Sequence, residues 1–480
     1  FLEFALFGPG FLGKFEIANS PRTADQYWAE TGLSRKELLP LLSNENCYFN
    51  RHNFLSCVNS IINTLERYNF IFTTEGGFHY RLTESEVSQR LTEKKELSLW
   101  IKDKSIFKHR KISFVKTWEE IEKTLIRRGE ESGVIAAAIN GYLSVNRDPH
   151  TYILPIKMYD EVIAAKEARQ LSLGFVVKRE PNYLLVRRVF EGSPAYIAGV
   201  RRGDRIFRLN DDHVQDLLPS KVNDILKLRD TSRLALEIKR GGAPRYLEIL
   251  KSETRFPSVV AKVSNNNSQV GLLTIHKFSM ETCNTAREYI QGFIEQGVRG
   301  IVLDLRDNPG GQVNEATCVI NLFVNRGTKL FETKYLDSHR KADSYVAQFD
   351  PIYQGSLVVL INSGSASAAE IVAGSLKDLG RATLIGEKTF GKGSFQDGKY
   401  WPLNSKVAIF ETEGFYYFPS GWTSQLEGIE PDISVEFNNV DRQRESDLFI
   451  HPLNPENKTV YSPMKLMAQM NLSFGTVCDL

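Results

Sequence analysis

From about Val270 to Val435 apolar β-branched runs alternate with amphipathic stretches, and this alternation restricts the chain to an α/β core more firmly than any other feature. Strands are predicted at Val270 to Ile275, Gly300 to Leu305, Leu357 to Asn362 and Thr383 to Gly386, with helices from Asn284 to Gln296, after Gly311 and after Ser367. Asn284 as cap and Gly297 as stop bracket a helix whose apolar face is Ala286, Tyr289, Ile290, Phe293 and Ile294.

The segments before this core differ in texture. Apolar residues recur at helical spacing in Leu55, Val58, Ile62 and Leu65, and again in Trp118, Ile121 and Leu125, so residues 1–130 are expected to be mainly helical. Thr117 followed by Glu120 has the pattern of a capping box at a helix start. A helix over about Ser132 to Leu143 opens a lead-in, 131–170, and ends at the turn Asn146-Arg147-Asp148-Pro149-His150. Residues 171–252 carry short runs such as Phe175-Val176-Val177, Tyr183 to Val189 and Leu234 to Ile238, separated by turns, which predicts a small β-rich module. The core is assigned to 253–437, and 438–480, with Pro452, Pro455 and Pro463, is expected to be a tail.

Composition excludes several functions. With 60 Lys plus Arg against 58 Asp plus Glu, the net charge of +2 is too small for a phosphate-tracking or membrane-coating surface. Nucleic acid is therefore not an expected partner, and the run Lys108-His109-Arg110-Lys111 is expected to be a solvated face. No apolar run approaches the ~18 residues needed to cross a bilayer. Phe1 is not an initiator methionine, which fits either a removed leader or a trimmed chain. The five cysteines are too few and too scattered for a disulfide scaffold. Cys47 and Cys57, close in sequence, are read as a disulfide or as two buried thiols, and His52 between them lacks the fork a zinc site needs.

Two glycine-rich junctions follow apolar strands in the core: Leu305-Arg306-Asp307-Asn308-Pro309-Gly310-Gly311, and Asn362-Ser363-Gly364-Ser365-Ala366-Ser367-Ala368-Ala369-Glu370. A serine at a sharp strand-to-helix turn presents its hydroxyl beside the free N–H groups of the helix, the arrangement an acyl-transfer nucleophile requires. The N–H of Ala368, with one from Gly310 or Gly311, would form an oxyanion hole. The competing structural reading is that Ser365 or Ser367 only caps the helix. A serine also needs a base, and of the eight histidines only His276 and His339 fall in the core, neither in a glycine-rich turn. Lys392, flanked by Gly391 and Gly393, is the better candidate. To accept a proton near neutrality its amine must lie far below the ordinary lysine value of about 10.4, which requires burial. Gln396, four residues on, offers an uncharged amide that holds the amine without raising its pKa. Gly386 to Lys392 also fits a phosphate loop, but Gly393 stands where that motif needs Ser or Thr, and no helix is expected to follow.

Residues 171–252 resemble a PDZ domain, with Leu173-Gly174-Phe175 as the carboxylate-binding loop ahead of the run Ala198 to Ile206. Ser365 to Glu370, Gly386 to Gly393 and Gln396 resemble the carboxy-terminal processing (tail-specific) serine peptidases of family S41. Asp148-Pro149-His150-Thr151, Asp304 to Gly311 and Gly428-Ile429-Glu430-Pro431-Asp432-Ile433 extend that likeness over about 130–437. The resemblance implies a crotonase/ClpP-like α/β peptidase core with an inserted β-rich PDZ domain and a helical N-terminal region. It assigns Ser367 as nucleophile, Lys392 as base and Gln396 as the residue orienting the lysine, with no metal or nucleotide cofactor. The implied activity is that of a serine endopeptidase cutting proteins near a nonpolar C-terminus captured by the PDZ module, in the periplasm or another exported location such as a chloroplast lumen. The first 130 residues match no pattern of that family, and Trp422-Thr423 stands where it often has a basic residue, which leaves oligomeric state and specificity open. The alternative is a non-catalytic ligand- or peptide-binding protein on the same fold. A further expectation is that Val477-Cys478-Asp479-Leu480 docks in the PDZ groove or is trimmed.

Overall fold

The computed structural model describes residues 24–67, 70–72, 78–81, 113–125, 131–146, 148–158, 173–180, 182–189, 192–217, 222, 225–226, 233–250, 257–264, 269–435, 444–448 and 453–455. The basic run at 108–111 and the C-terminal residues 477–480 lie outside the described residues.

Helices α1 (Ala24–Thr31), α2 (Arg51–Arg67), α3 (Phe114–Leu125) and α4 (Glu131–Asn146) form a helical unit, with two short strands, Phe70–Phe72 and Phe78–Arg81, beside it. Helix α2 lies on α4 at very short range: Asn59 and Ser60 side chains donate to Gly141 O and Ala138 O at 2.6 and 2.7 Å. A Cβ on Gly141 would fall 2.7 Å from Asn63 Cβ, so this crossing needs glycine. Helix α3 begins at Phe114, three residues before the expected cap at Thr117, because Ser113 Oγ takes the capping role and accepts from Lys116 N.

The lead-in to the core is not purely helical. After α4, strand β1 (Tyr152–Pro155) pairs antiparallel with a core strand, and Ile153 joins a hydrophobic cluster that contains Trp118, Tyr142, Trp401, Val407 and Ile409. The helical unit and the core thus share buried side chains.

Residues 173–250 form the small β module, with β2 (Phe175–Arg179), β3 (Leu184–Val189), β4 (Arg205–Leu209), β5 (Arg233–Arg240) and β6 (Ala243–Leu250). They lie side by side in that order, which leaves β2 at an edge. Alternate residues Leu234, Leu236 and Ile238 point into the module's own core, as the period of two requires.

The core has two sheets. The first orders β7 (Val259–Val263), β8 (Val270–Ile275), β9 (Gly300–Asp304), β12 (Ser356–Ile361), β13 (Thr383–Gly386) and β16 (Ile433–Ser434), parallel from β8 onward. The second orders β11 (Asp343–Val346), β10 (Lys329–Tyr335), β15 (Asn404–Tyr417) and β14 (Ser394–Trp401), with β1 also on β15. Helices α5 (Thr282–Glu295), α6 (Val313–Asn321) and α7 (Ala368–Asp378) cover the parallel sheet.

Two details of α5 depart from expectation. It starts at Thr282 and not at Asn284, because Glu281 turns the chain in a left-handed conformation (φ 69°) and the Asn284 amide bonds Glu281 Oε2. Its buried face is Cys283, Ala286, Ile290 and Phe293, whereas Tyr289 and Ile294 are exposed. Cys47 bonds Cys57, and a second disulfide, Cys283–Cys318, joins α5 to α6. The expected tail is in part structured: Glu445–Leu448 forms a helical turn, and Glu445 is completely buried.

Helix α7 packs on Phe418 so tightly that a Cβ on Gly374 would stand 2.1 Å from Phe418 Cζ. Alanine is favoured over glycine inside a helix by about 1 kcal/mol, but overpacking a closed core costs about 1–3 kcal/mol, and the Phe418 ring is fully enclosed. Gly374→Ala is therefore expected to lower the Tm by a few degrees in thermal unfolding, and a raised Tm would show that propensity outweighs packing here.

Candidate active site

The second glycine-rich junction turns between β12 and α7. Of its two candidate serines, Ser365 is spent on structure: its hydroxyl donates to Leu305 O at 2.8 Å and accepts from Asn362 N at 3.0 Å. Ser367 is half-buried and has φ 54° and ψ −119°, a sparsely populated combination for a non-glycine residue, as at a nucleophile elbow. The first junction locks against this turn. Ala366 N donates to Asn308 O at 2.9 Å, and the Asn362 side chain bonds both Asp307 N and Asp307 Oδ1.

Gly310 touches the turn directly, since a Cβ there would lie 2.8 Å from Ala368 N and 2.9 Å from Ser367 Cβ. Its own N–H is already given to Asn308 Oδ1 at 2.8 Å, so Gly310 serves the site by having no side chain. Gly311 is bridged to Phe278 through its neighbours, Phe278 N donating to Gly310 O and Gln312 N to Phe278 O. The N–H groups that remain for a developing oxyanion at this junction are those of Ala368 and Gly311.

The Lys392 loop lies beside this turn, tied by Phe390 N donating to Ser365 O at 3.0 Å. Gly391 adopts φ 97°, and a Cβ on Gly393 would fall 2.4 Å from Thr423 Oγ1, so both glycines are required. Lys392 is 2% exposed. Its Nζ donates to Ser394 O at 2.9 Å and to Gln396 Oε1 at 2.8 Å. A neutral amine has two N–H bonds, and these two acceptors use both, leaving the lone pair as its remaining valence. Burial pushes Lys392 below the ordinary lysine range, while the carboxylates of Glu445, Asp148 and Glu370 pull it up. Among the described residues no direct hydrogen bond joins Nζ to Ser367 Oγ.

Glu370 unites the two loops. Its Oε2 accepts from Ser367 N at 2.9 Å and from Lys392 N at 2.8 Å, while Oε1 accepts from Thr389 Oγ1 at 2.6 Å and Gly391 N at 2.9 Å. Burial pushes Glu370 up to about 7 against the pull of these same four donors. Tyr416 Oη adds a second tie, donating to Lys392 O at 2.8 Å. Sequence reasoning placed Glu370 in the motif but gave it no role; its position at the third residue of α7, able to reach back to Ser367 N, was the available signal.

Gln396 is held in turn, its Nε2 donating to Ser394 Oγ and Thr412 Oγ1, each at 3.1 Å. Thr412 Oγ1 donates to Asp148 Oδ1 at 2.8 Å, and Asp148 also receives His150 N and Thr151 Oγ1. A chain of hydrogen bonds therefore runs from Lys392 through Gln396 and Thr412 to Asp148.

Residues 269–435 match the model of peptidase family S41, and residues 172–250 that of the PDZ domain. The chain thus holds one region similar to the family S41 peptidases and one similar to PDZ domains. The carboxy-terminal processing protease CtpA of Bacillus subtilis (strain 168) is 28% identical over 325 residues, which cover 67% of this chain and 68% of that protein. A probable CtpA-like serine protease of Staphylococcus aureus (strain COL) is 27% identical over 303 residues, 62% of this chain and 60% of that protein. The solved photosystem II D1 C-terminal processing protease is 26% identical with a TM-score of 0.49, covering 74% of this chain and 92% of that one.

The expected PDZ loop lies where β2 begins. Leu173 O accepts Ala195 N at 2.9 Å and Gly174 O accepts Ser193 Oγ at 3.1 Å, which fixes Leu173-Gly174-Phe175 over the helical turn Pro194–Ile197. Gly174 has φ 79°. The PDZ domain reaches the peptidase core through Arg202, whose Nη1 lies 3.2 Å from Asp307 Oδ2, beside the Gly310 junction. The described residues hold no cluster of His, Cys, Asp and Glu that would bind a metal ion.

Keeping Lys392 neutral in a buried site has a stability signature. Its folded pKa lies below its unfolded one, so the unfolded chain binds more protons between the two values and stability rises with pH across that window. Lys392→Met removes the cost. It is expected to be more stable than wild type at neutral pH, and to lose the part of the upward slope that Lys392 contributes below about pH 10.4. Denaturant unfolding at a series of pH values measures this, and parallel stability curves would show that Lys392 carries no such cost.

Proposed function

We propose that this chain is a serine endopeptidase that cuts protein substrates near their C-terminus, with Ser367 as nucleophile, Lys392 as general base and Gln396 orienting the lysine. The single observation that supports it most is the Glu370 carboxylate, which accepts from the main-chain N–H groups of Ser367 and Lys392 through one oxygen. The name of the Bacillus subtilis relative, a carboxy-terminal processing protease, agrees with this reading.

In the proposed reaction Ser367 Oγ attacks the scissile carbonyl carbon while its proton passes to the lone pair of Lys392 Nζ. The oxyanion is received by the N–H groups of Ala368 and Gly311. The resulting ammonium gives its proton to the departing amine, which breaks the peptide bond and leaves an acyl-Ser367. Water then attacks the acyl carbon, Lys392 again taking the proton, and the C–Oγ bond breaks as the ammonium returns that proton to Ser367 Oγ, which releases the new C-terminal carboxyl product and restores the neutral lysine. For this transfer Oγ and Nζ must come within hydrogen-bond reach in the substrate complex, where catalytic hydrogen bonds commonly tighten. The metal-free chemistry expected of this family needs nothing beyond these groups.

The PDZ domain is proposed to capture a nonpolar C-terminal tail. The open edge of β2 would pair with the tail as an added strand, and the Leu173-Gly174-Phe175 loop would receive its carboxylate. We place the protein outside the cytoplasm, because the two disulfides suit an oxidising compartment. The reading as a non-catalytic binder is less well supported, since binding alone gives no reason to bury a lysine beside a strained serine.

Ser367→Ala and Lys392→Ala are each expected to abolish cleavage of a peptide with a nonpolar C-terminal tail, while that peptide's affinity changes less than about threefold because capture lies on another module. Mass spectrometry of the products and fluorescence anisotropy of the tail peptide check the two halves. Cleavage by Ser367→Ala at the wild-type rate would remove Ser367 from the mechanism.

A further inference from the structure

The peptidase core match ends at residue 435, yet the chain returns to the base loop beyond it. In the helical turn Glu445–Leu448, Glu445 N donates to Phe390 O at 3.1 Å, two residues before Lys392. The Glu445 side chain is fully buried, and its Oε1 accepts from His150 Nε2 at 2.8 Å and from Gln425 Nε2 at 3.2 Å. Gln425 then accepts Gly393 N at 2.8 Å and donates to Leu453 O at 3.0 Å. The loop is thus fixed on both sides of Lys392, at Phe390 by Glu445 and at Gly393 by Gln425, which Glu445 holds. The other oxygen, Oε2, has no hydrogen-bond partner among the described residues. A buried carboxylate oxygen left unpaired is costly, so stability alone does not account for Glu445.

We propose that Glu445, oriented by His150, is a positioning residue for Lys392, supplying from outside the matched core both the brace of the base loop and a negative charge facing the amine. The inference rests on the reading of Lys392 as the base. Because a carboxylate can only accept, His150 donates to Glu445 from Nε2. The groups around the amine are Glu370 from α7, Asp148 from the turn before β1, Glu445 from the helical turn, and Tyr416 from β15, which burial keeps protonated. Of the three carboxylates Glu445 exerts the largest upward pull on Lys392. Without it the amine would lose its proton at lower pH.

The test uses the full chain. Glu445→Gln keeps the acceptor for His150 and Gln425 but removes the charge. The acid limb of the kcat/KM profile is expected to move to lower pH, with plateau kcat/KM within about threefold of wild type. His150→Gln, which retains a donor to Glu445, is expected to leave the limb in place. A direct readout is the 13C shift of Lys392 Cε titrated in Ser367→Ala protein with and without Glu445→Gln, which does not depend on turnover. An unmoved limb and an unmoved Cε titration would overturn the proposal and leave Glu445 a packing residue. A shifted Cε titration in a protein whose wild type cleaves no peptide would uphold the charge at Lys392 and reject the peptidase reading instead. Should Glu445→Gln fail to fold, Glu445→Met tests the same loss of charge at similar volume.

Discussion

The site depends on one buried carboxylate. Glu370 sits on the first turn of α7 and accepts four hydrogen bonds, from Ser367 and Thr389 and from the main chain of Gly391 and Lys392. A strained serine turn and a glycine-rich loop would each relax if left alone, the first because φ 54° is unfavourable for serine, the second because glycine has so many accessible conformations. Sharing a single acceptor couples them, so neither can relax without leaving donors unpaired in a dry interior. The two side chains proposed to react, Ser367 and Lys392, are thereby placed through their main chains.

How much of this was legible in the sequence follows from the range of each interaction. Ser367 and Lys392 were visible because glycines and small residues mark strand ends locally, and the strands themselves, such as Val270–Ile275 and Thr383–Gly386, have unambiguous apolar runs. The start of α5 was misjudged because a non-glycine residue, Glu281, adopts the left-handed conformation that precedes it, and sequence gives little warning of that. Tyr289 and Ile294 were assigned to the buried face because helical spacing cannot tell the centre of an apolar stripe from its margins.

Other features lay beyond any local signal. Asp148 reaches the Lys392 network through Thr412, and the two are 264 positions apart. The Cys283–Cys318 disulfide joins two helices that become neighbours only when the parallel sheet has formed. Gln396 was expected from the electrostatic argument as a neutral partner for the amine, and Lys392 Nζ does donate to its Oε1, but what orients that amide, the two donations to Ser394 Oγ and Thr412 Oγ1, is tertiary.

Lys392, the proposed base, is surrounded by groups from three separate parts of the chain, and this division has a physical logic. The two glycine-rich junctions interlock within the parallel sheet, so the core alone can fix them. Lys392 instead stands where the second sheet meets the helical unit, and the groups that surround it are drawn from Asp148 before β1, Glu370 on α7 and Glu445 after the last strand. A lysine that is to be desolvated needs to be enclosed, and Lys392 is 2% exposed with groups from outside the matched core among its surroundings. The lead-in reaches the Lys392 network through Asp148 and the C-terminal turn reaches the loop through Glu445, so segments outside the matched peptidase core take part in building the surroundings of Lys392.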